Sequence, residues 1–499
     1  MVLVMLENAS CDRYLGCLKE TCLPDFDGVD NQNPGVNECG GVVYKQSPTE
    51  VRQVQFDPYH EQKNGVLNQL QKNNGGFVQN YADKTKAKTV QQRQQIMGYY
   101  PMGFLPAHHQ LAKTFRPCDA WFCSVPGPTW PNRFFALSGT SNGLVVMPEK
   151  GKFFKTSRMI YSETQPTIFT RLAEQKISFK IFYHDFPSSM ILLQNMINSE
   201  VRTSFTPFVD SFQKLAAGPE SEFPQFSFIE AKYNGFDQND DHPPHNVMKG
   251  QKLVADVYNS IRNNEELWNS TVIVILHDEH GGFYDHVTPP AAIPPREYKN
   301  SDEYDFTQLG VRVPALLVSP WVKPGVEKTI FDHTSLLKYL REKWNLGDLG
   351  ERVSSPKTNS IACALDFSKK HENNLLKIIV TEEQLQSPHP EWELDSTSHH
   401  FANDLFTHII ENNAGTELMR TLSSKEGLDV KFSKVFITKA VLEFFFYVLR
   451  DFWTSIRSNK SISMVNRANR RKIKIDKIFE NAERVSQPSA TRTTEQQNV

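Results

Sequence analysis

An α/β fold built on a mostly parallel sheet is what this chain predicts, on two observations. Short apolar, β-branched runs of strand length alternate with longer helical patterns. The runs are apolar almost throughout, as suits strands covered on both faces. With 499 residues, 39% hydrophobic and 22% charged, the chain has the composition of a soluble globular protein with room for a large core.

Taken in order, the runs predict strands at Val2–Leu6, 134–137, 177–183, 226–229, 271–276 and 313–318. Helical patterns fall at 65–73, 167–175, 248–264 and 334–344, the last two amphipathic and free of proline. Polar, proline-bearing stretches at 24–53, 216–225 and 289–306 read as loops or insertions on one rim, suited to walling a cleft. No repeat is visible, and composition changes character after about residue 430. The expected organisation is a catalytic domain over 1–370, an accessory extension over 371–430, an apolar and basic helical region over 431–485, and a disordered tail over 486–499.

A formal net charge of -2 gives no global attraction to nucleic acid, so none is expected as a partner. The basic stretch NRANRRKIKI lacks the aromatic residues that stack bases. Seven cysteines without paired CxxC spacing predict mostly free thiols. Residues 1–6 have none of the features of a cleaved secretory signal, which implies a cytoplasmic protein or one exported by a leaderless route.

Chemistry concentrates where the run 271–276 empties into His277, Asp278, Glu279, His280 and Gly281–Gly282. In open α/β sheets, ligands bind at the carboxyl ends of strands. Adjacent carboxylates aimed at one point repel by about 1–4 kcal/mol at surface-like dielectric, so an inward pair calls for a cation. Solvated loop acids and a turn histidine are the plainer alternative. Just past the first strand stand Glu7 and Asn8. Should the two strands be close, these four residues make an oxygen-rich cage for one divalent ion.

Longer motifs carry a resemblance. LENASCDRYLG (6–16), CSVPGPTWPNRFFALSGTSNG (123–143), NDDHPPHNVMKGQKLVADVYNSI (239–261), HDEHGGFYDHVTPP (277–290), GVRVPALLVSPWVKPG (310–325) and FDHTSLLKYLREKW (331–344) resemble the phosphoesterase family. That family includes bacterial phosphatidylcholine-type phospholipases C, plant non-specific phospholipases C and a related acid phosphatase. The resemblance implies an alkaline-phosphatase-like α/β/α sandwich with the site at the strand ends. It implies metal ligation by Glu7, Asn8, Asp278 and Glu279, with the nucleophile's oxygen as a further ligand. Thr140, in Ser138–Gly139–Thr140–Ser141, takes the nucleophile position, with Ser141 as the nearest competitor. Zinc is the implied metal, and the carboxylate-rich set leaves calcium and manganese open.

Four histidines lie in matched motifs: His60, His242, His280 and His333. For one histidine alone, a hydrogen-bonded structural residue is the ordinary reading. In family positions the four are expected to bind phosphate oxygens and to protonate the leaving alcohol. Asp241 is expected to orient His242 or to lie near the phosphate. His245, His277 and His286 are assigned to the second layer or the surface. Ala9, Cys11 and His277 depart from the family pattern, which bears on substrate preference.

The implied activity is a phospholipase C acting on glycerophospholipids, phosphatidylcholine first, through a phosphothreonine intermediate. A broad acid phosphatase and a catalytically silent lipid-binding effector are the alternatives. Beyond the match, residues 432–453 would span about 33 Å as a helix. Lys434, Lys439, Glu443, Arg450 and Asp451 would each cost about 2.5–3.5 kcal/mol at a bilayer centre, which argues against spanning. Peripheral contact with anionic lipid through 432–477, or a solvated helical face, is the expectation.

Overall fold

Val2–Leu6 forms strand β1, and all five of its residues are buried. Chain order then gives β2 (Val36–Cys39), β3 (Val42–Lys45), β4 (Arg116–Cys118), β5 (Phe179–Tyr183) and β6 (Phe205–Pro207). The remaining strands of three or more residues are β7 (Phe226–Glu230), β8 (Ile273–His277) and β9 (Ala315–Val318), and Ser47–Pro48, Gly98–Tyr99, Trp121–Phe122 and Phe331–Asp332 form two-residue strands. This computed structural model describes residues 1–147, 165–184, 189, 199–233, 237–295, 304–371 and 373–394. All lie in one compact unit, Met1–His399, so the expectations for 432–477 and 486–499 lie outside the described residues.

Among the described residues the main sheet has seven strands in the order β4-β9-β8-β1-β7-β5-β6. β8, β1, β7, β5 and β6 are parallel along the sheet. β9 runs antiparallel to both of its neighbours, β8 and β4. Every residue of β1, β7, β8 and β9 is buried, which requires cover on both faces. This is the expected α/β architecture with a mostly parallel sheet.

The helices that frame the site are α1 (Cys11–Leu15), α2 (Phe77–Lys84), α3 (Pro106–Thr114) and α4 (Thr129–Ser138). They are followed by α5 (Ile168–Glu174), α6 (Val247–Arg262) and α7 (His333–Trp344). α6 packs on α3, while α4 packs on α7 and α5.

Register fixes the working edge. Leu6 of β1 pairs with His277 of β8, and Met5 pairs with Glu230 of β7. Glu7, Asp278 and the segment 231–246 therefore leave three neighbouring parallel strands at one edge.

Three local expectations give way. The run 134–137 is helical, not a strand, because it lies inside α4. Four apolar residues cannot distinguish the two, and here Pro131 in the first turn and Gly139 at the carboxyl end delimit a helix. Gly139 sits at φ +77, and a Cβ there would meet Leu349 O at 1.9 Å. The stretch 65–73 is not one helix but short helical pieces, Gln62–Val66, Leu67–Gln69 and Gln71–Asn74, interrupted where Lys72 and Asn73 take positive φ. Finally, β2 and β3 pair as an antiparallel hairpin inside the polar stretch expected to be loop. All seven cysteines are free, and no described helix is long and apolar enough to cross a membrane.

Candidate active site

The two acidic loops meet by backbone lacing. Asp278 N–H donates to Leu6 O at 3.1 Å, Ala9 N–H to Glu279 O at 3.0 Å, and Glu7 N–H to Asp240 O at 2.7 Å. Asn8 takes φ 52, an accessible left-handed conformation for asparagine. Gly281 is at φ +63 against it, where a Cβ would approach Asn8 Cβ to 2.6 Å. Glu7, Asn8, Asp278 and Glu279, distant in sequence, are thus fully buried neighbours at the strand edge.

Arg133 of α4 reaches into this group. Its Nε lies 2.7 Å from Asp278 Oδ2, its Nη2 3.0 Å from Glu7 Oε1, and its Nη1 donates to Tyr233 Oη at 2.6 Å. One guanidinium does not balance three buried carboxylates. Burial, reinforced by Glu7 and Glu279, raises the Asp278 carboxyl despite the opposing pull of Arg133. Burial likewise raises Glu279, against His60. The amide Oδ1 and Nδ2 of Asn8 and Oε1 of Glu279 are buried with no hydrogen-bond partner among the described residues. Oxygen donors under mutual repulsion, some without hydrogen bonds, fit a divalent cation held by Glu7, Asn8, Asp278 and Glu279.

Beside this group lies a second one. Ligand-capable atoms of Asp57, His60 and His242 all fall within 4.8 Å of one another. Nδ1–H of His60 donates to Pro58 O and Nδ1–H of His242 to Pro243 O, each at 2.6 Å. Carbonyls only accept, so these bonds fix both rings with Nε2 turned away from the anchors. His60 Nε2 is 3.6 Å from Glu279 Oε1, and His242 Nε2 is 4.0 Å from Asp57 Oδ2. Burial opposes charge on His60, but Glu279 and Asp57 outweigh it and raise its pKa to about 9.

Other expected residues are placed differently. His333 is enclosed, with Nε2–H donating to Asp278 O at 2.6 Å and Nδ1 accepting from Trp121 Nε1–H at 3.2 Å. Burial lowers its pKa to about 4, so it is a neutral support under the Asp278 backbone. His280 donates from Nε2 to Gln69 Oε1 at 2.8 Å and meets Phe77 edge-on, with Nδ1 3.3 Å from Glu279 Oε2. It braces Glu279. Asp241 does not orient His242, because its Oδ2 faces His277 Nε2 at 3.2 Å and its carboxylate packs on Gly250 of α6. Asp240 holds the His242 backbone instead, accepting its amide N–H at 3.1 Å, and bonds His245 Nδ1 at 2.5 Å, while the His242 ring is anchored by Pro243 O.

Thr140 is not brought to the carboxylates. It follows the carboxyl end of α4, where its Oγ1 accepts Asn142 N–H at 3.1 Å. About 15 Å of helix separates it from the opposite end of α4. That opposite end begins at Thr129, four residues before Arg133 and on the same face. Side chains on a helix lean toward its amino end, so the Arg133 head group lies over the turn that carries Thr129. Thr129 is 4% exposed, and Pro128 before it provides no side-chain cap, so the positive end of the α4 dipole is directed at the same edge.

Sequence reading missed Thr129, Arg133, Asp57, Asp240 and Tyr233. Two signals were available: Pro131 and Gly139 bracket a helix that starts at Thr129, and a lone arginine among WPNRFFAL calls for a buried acidic partner.

With this geometry in view, a model of the phosphoesterase family matches residues 1–347. The chain is 31% identical over 367 residues to non-specific phospholipase C6 of Arabidopsis thaliana, covering 69% of this chain and 68% of that protein. It is 27% identical over 398 residues to phospholipase C B of Mycobacterium tuberculosis, covering 69% and 73%. Among solved structures, a protein in the alkaline phosphatase superfamily from Vibrio parahaemolyticus aligns at TM-score 0.28 and 12% identity, covering 50% of this chain and 64% of that one. The family match spans every strand of the sheet and every residue gathered at its edge, and the chain belongs to the phosphoesterase family of phosphoric ester hydrolases.

Proposed function

We propose that the protein is a metal-dependent phospholipase C that cleaves glycerophospholipids, phosphatidylcholine first, into diacylglycerol and a phosphorylated head group. The observation that carries it is the meeting of Glu7, Asn8, Asp278 and Glu279 beside the amino end of α4. The phospholipase C names of the relatives support the lipid substrate.

The cation, which we take to be zinc with calcium and manganese as the tested alternatives, supplies Lewis-acid stabilisation of phosphoryl oxygen and of an alkoxide. Thr129 is the nucleophile we infer, in place of Thr140. Its hydroxyl releases its proton to solvent, an ionisation a bound cation would favour; the oxygen then attacks phosphorus, the bond to the diacylglycerol oxygen breaks, and a histidine donates the proton that oxygen needs. His60 suits that donation by position, with a side chain 12% open to solvent and its Nδ1 anchored on Pro58 O so that Nε2 is turned away from that anchor. Water then attacks the phosphothreonine and frees the head-group phosphate. His242, anchored through Pro243 and Asp240, is placed to bind a non-bridging oxygen.

The test is a comparison of Thr129→Ala with Thr140→Ala on phosphatidylcholine vesicles and on p-nitrophenyl phosphate. Loss of diacylglycerol release of about 10³-fold or more in Thr129→Ala alone supports the proposal. An active Thr129→Ala protein refutes the nucleophile, and parent activity on the monoester alone favours the acid phosphatase. Lipid binding without hydrolysis of either substrate favours a silent effector.

A further inference from the structure

The β2–β3 hairpin has two unlike faces. Asn37, Cys39 and Tyr44 are buried, while Val36, paired with Lys45, and Val43, paired with Glu38, face outward. Val36, Val42 and Val43 are 51%, 37% and 59% exposed, and Val90 on the adjoining short helix Val90–Gln94 is 48% exposed. That helix is tied to the hairpin, since Gln94 Nε2 donates to Lys45 O at 2.7 Å and Arg93 Nη1 lies 3.8 Å from Cys39 Sγ. Lys84 at the end of α2, and Lys86 and Lys88 between α2 and the same helix, are exposed. With Lys45 they outnumber the exposed acids of these segments, Glu38 and Asp83.

This apolar and cationic surface adjoins the active site. Lys84 Nζ lies 5.3 Å from the ring centre of Tyr59, the residue before His60. Tyr81 of α2 donates to Phe56 O, next to Asp57. Exposed valines bordered by lysines match the two layers of a lipid interface, acyl boundary and phosphate. A second copy would meet the patch with the same positive charge, which disfavours self-association.

We propose that the hairpin 36–45 and the segment 84–90 seat the protein on a bilayer containing anionic phospholipid, with the valines entering the interface and the lysines facing phosphates. The inference deepens the phospholipase reading and rests on it for its purpose, but binding is measured without hydrolysis. Two variants of the full chain test it: Val42→Asp with Val43→Asp, and Lys84→Glu with Lys86→Glu and Lys88→Glu. The readout is sedimentation with vesicles of phosphatidylcholine and phosphatidylserine at 4:1. Each variant is expected to bind about tenfold or more weakly while hydrolysing p-nitrophenyl phosphate or monomeric short-chain phosphatidylcholine as the parent does. Patch-dependent sedimentation of a parent that hydrolyses neither substrate still supports the surface and counts against the proposed function alone. Vesicle binding by both variants at the parent level overturns the inference, as does valine-dependent dimerisation in place of vesicle binding.

Discussion

Arg133 binds Asp278, Glu7 and Tyr233 with one head group, and this decides how the cluster behaves when emptied of metal. Removing one partner of a buried ion pair typically costs about 3–5 kcal/mol, because the other charges stay buried. Arg133→Ala is therefore expected to lose about that much stability in chelator and distinctly less with saturating divalent metal, as measured by urea denaturation. Equal losses in both conditions would show that the cation and the guanidinium do not share these carboxylates. A second residue-scale outcome concerns His286, whose Nδ1 is 2.9 Å from Asp12 and whose Nε2 is 3.1 Å from Asp27. Burial opposes its charge, but Asp12 prevails and raises its pKa from 6.5 to about 10. A folded pKa above the unfolded one means that the imidazolium stabilises the fold fully below pH 6.5. That stabilisation is lost as the pH rises toward 10. The melting temperature should consequently fall more steeply between pH 7 and 10 in the parent than in His286→Asn, and parallel curves would remove the effect.

At the scale of elements, α4 decides where the chemistry sits. Its carboxyl end needs Gly139, at φ +77 and with Leu349 O where a Cβ would go. Gly139→Ala should destabilise the protein by about 1–3 kcal/mol from backbone strain alone, read as a lower urea midpoint at unchanged slope. An unchanged midpoint would mean that this end of α4 readjusts freely. The same helix marks the limit of reading the chain without its fold. β1, β8 and β9 were legible because strands buried on both faces leave continuous apolar runs. Glu7, Asn8, Asp278 and Glu279 were legible because they follow such runs directly. The segment 134–137 has the same local appearance, yet its flanking proline and glycine make it a helix, and reading it as a strand hid the site-facing turn at Thr129. Roles set by tertiary packing were hidden too: only the folded chain shows that His333 spends both nitrogens on Trp121 and the Asp278 carbonyl. Asp240 and Asp241 are chemically identical neighbours, separated in role by the positive φ of Asp241, which turns it toward His277.

Across the whole molecule, the proposed metal site joins parts of the chain that are far apart in sequence, so its occupancy should govern global stability. Glu7 and Asn8 follow β1, Asp278 and Glu279 follow β8, and Arg133 comes from α4. Arg312 also ties these loops, with Nε 2.9 Å from Asp285, Nη2 3.1 Å from Asp12 and Nη1 2.7 Å from Asp119 O. This second lock needs no metal. A chelated protein should accordingly remain folded, at lower stability. A ligand at a hundred times its dissociation constant adds about 2.7 kcal/mol when only the folded state binds it. Metal at that level should therefore raise the urea midpoint of the chelated protein by the equivalent of about 2.7 kcal/mol, without changing far-ultraviolet dichroism at zero urea. Arg312→Lys keeps the charge but cannot span three partners, so it should make chelation more damaging than in the parent. Unfolding of the chelated parent would mean that the Arg312 lock is too weak to hold the loops, while indifference to metal would mean that the four oxygen donors do not bind it.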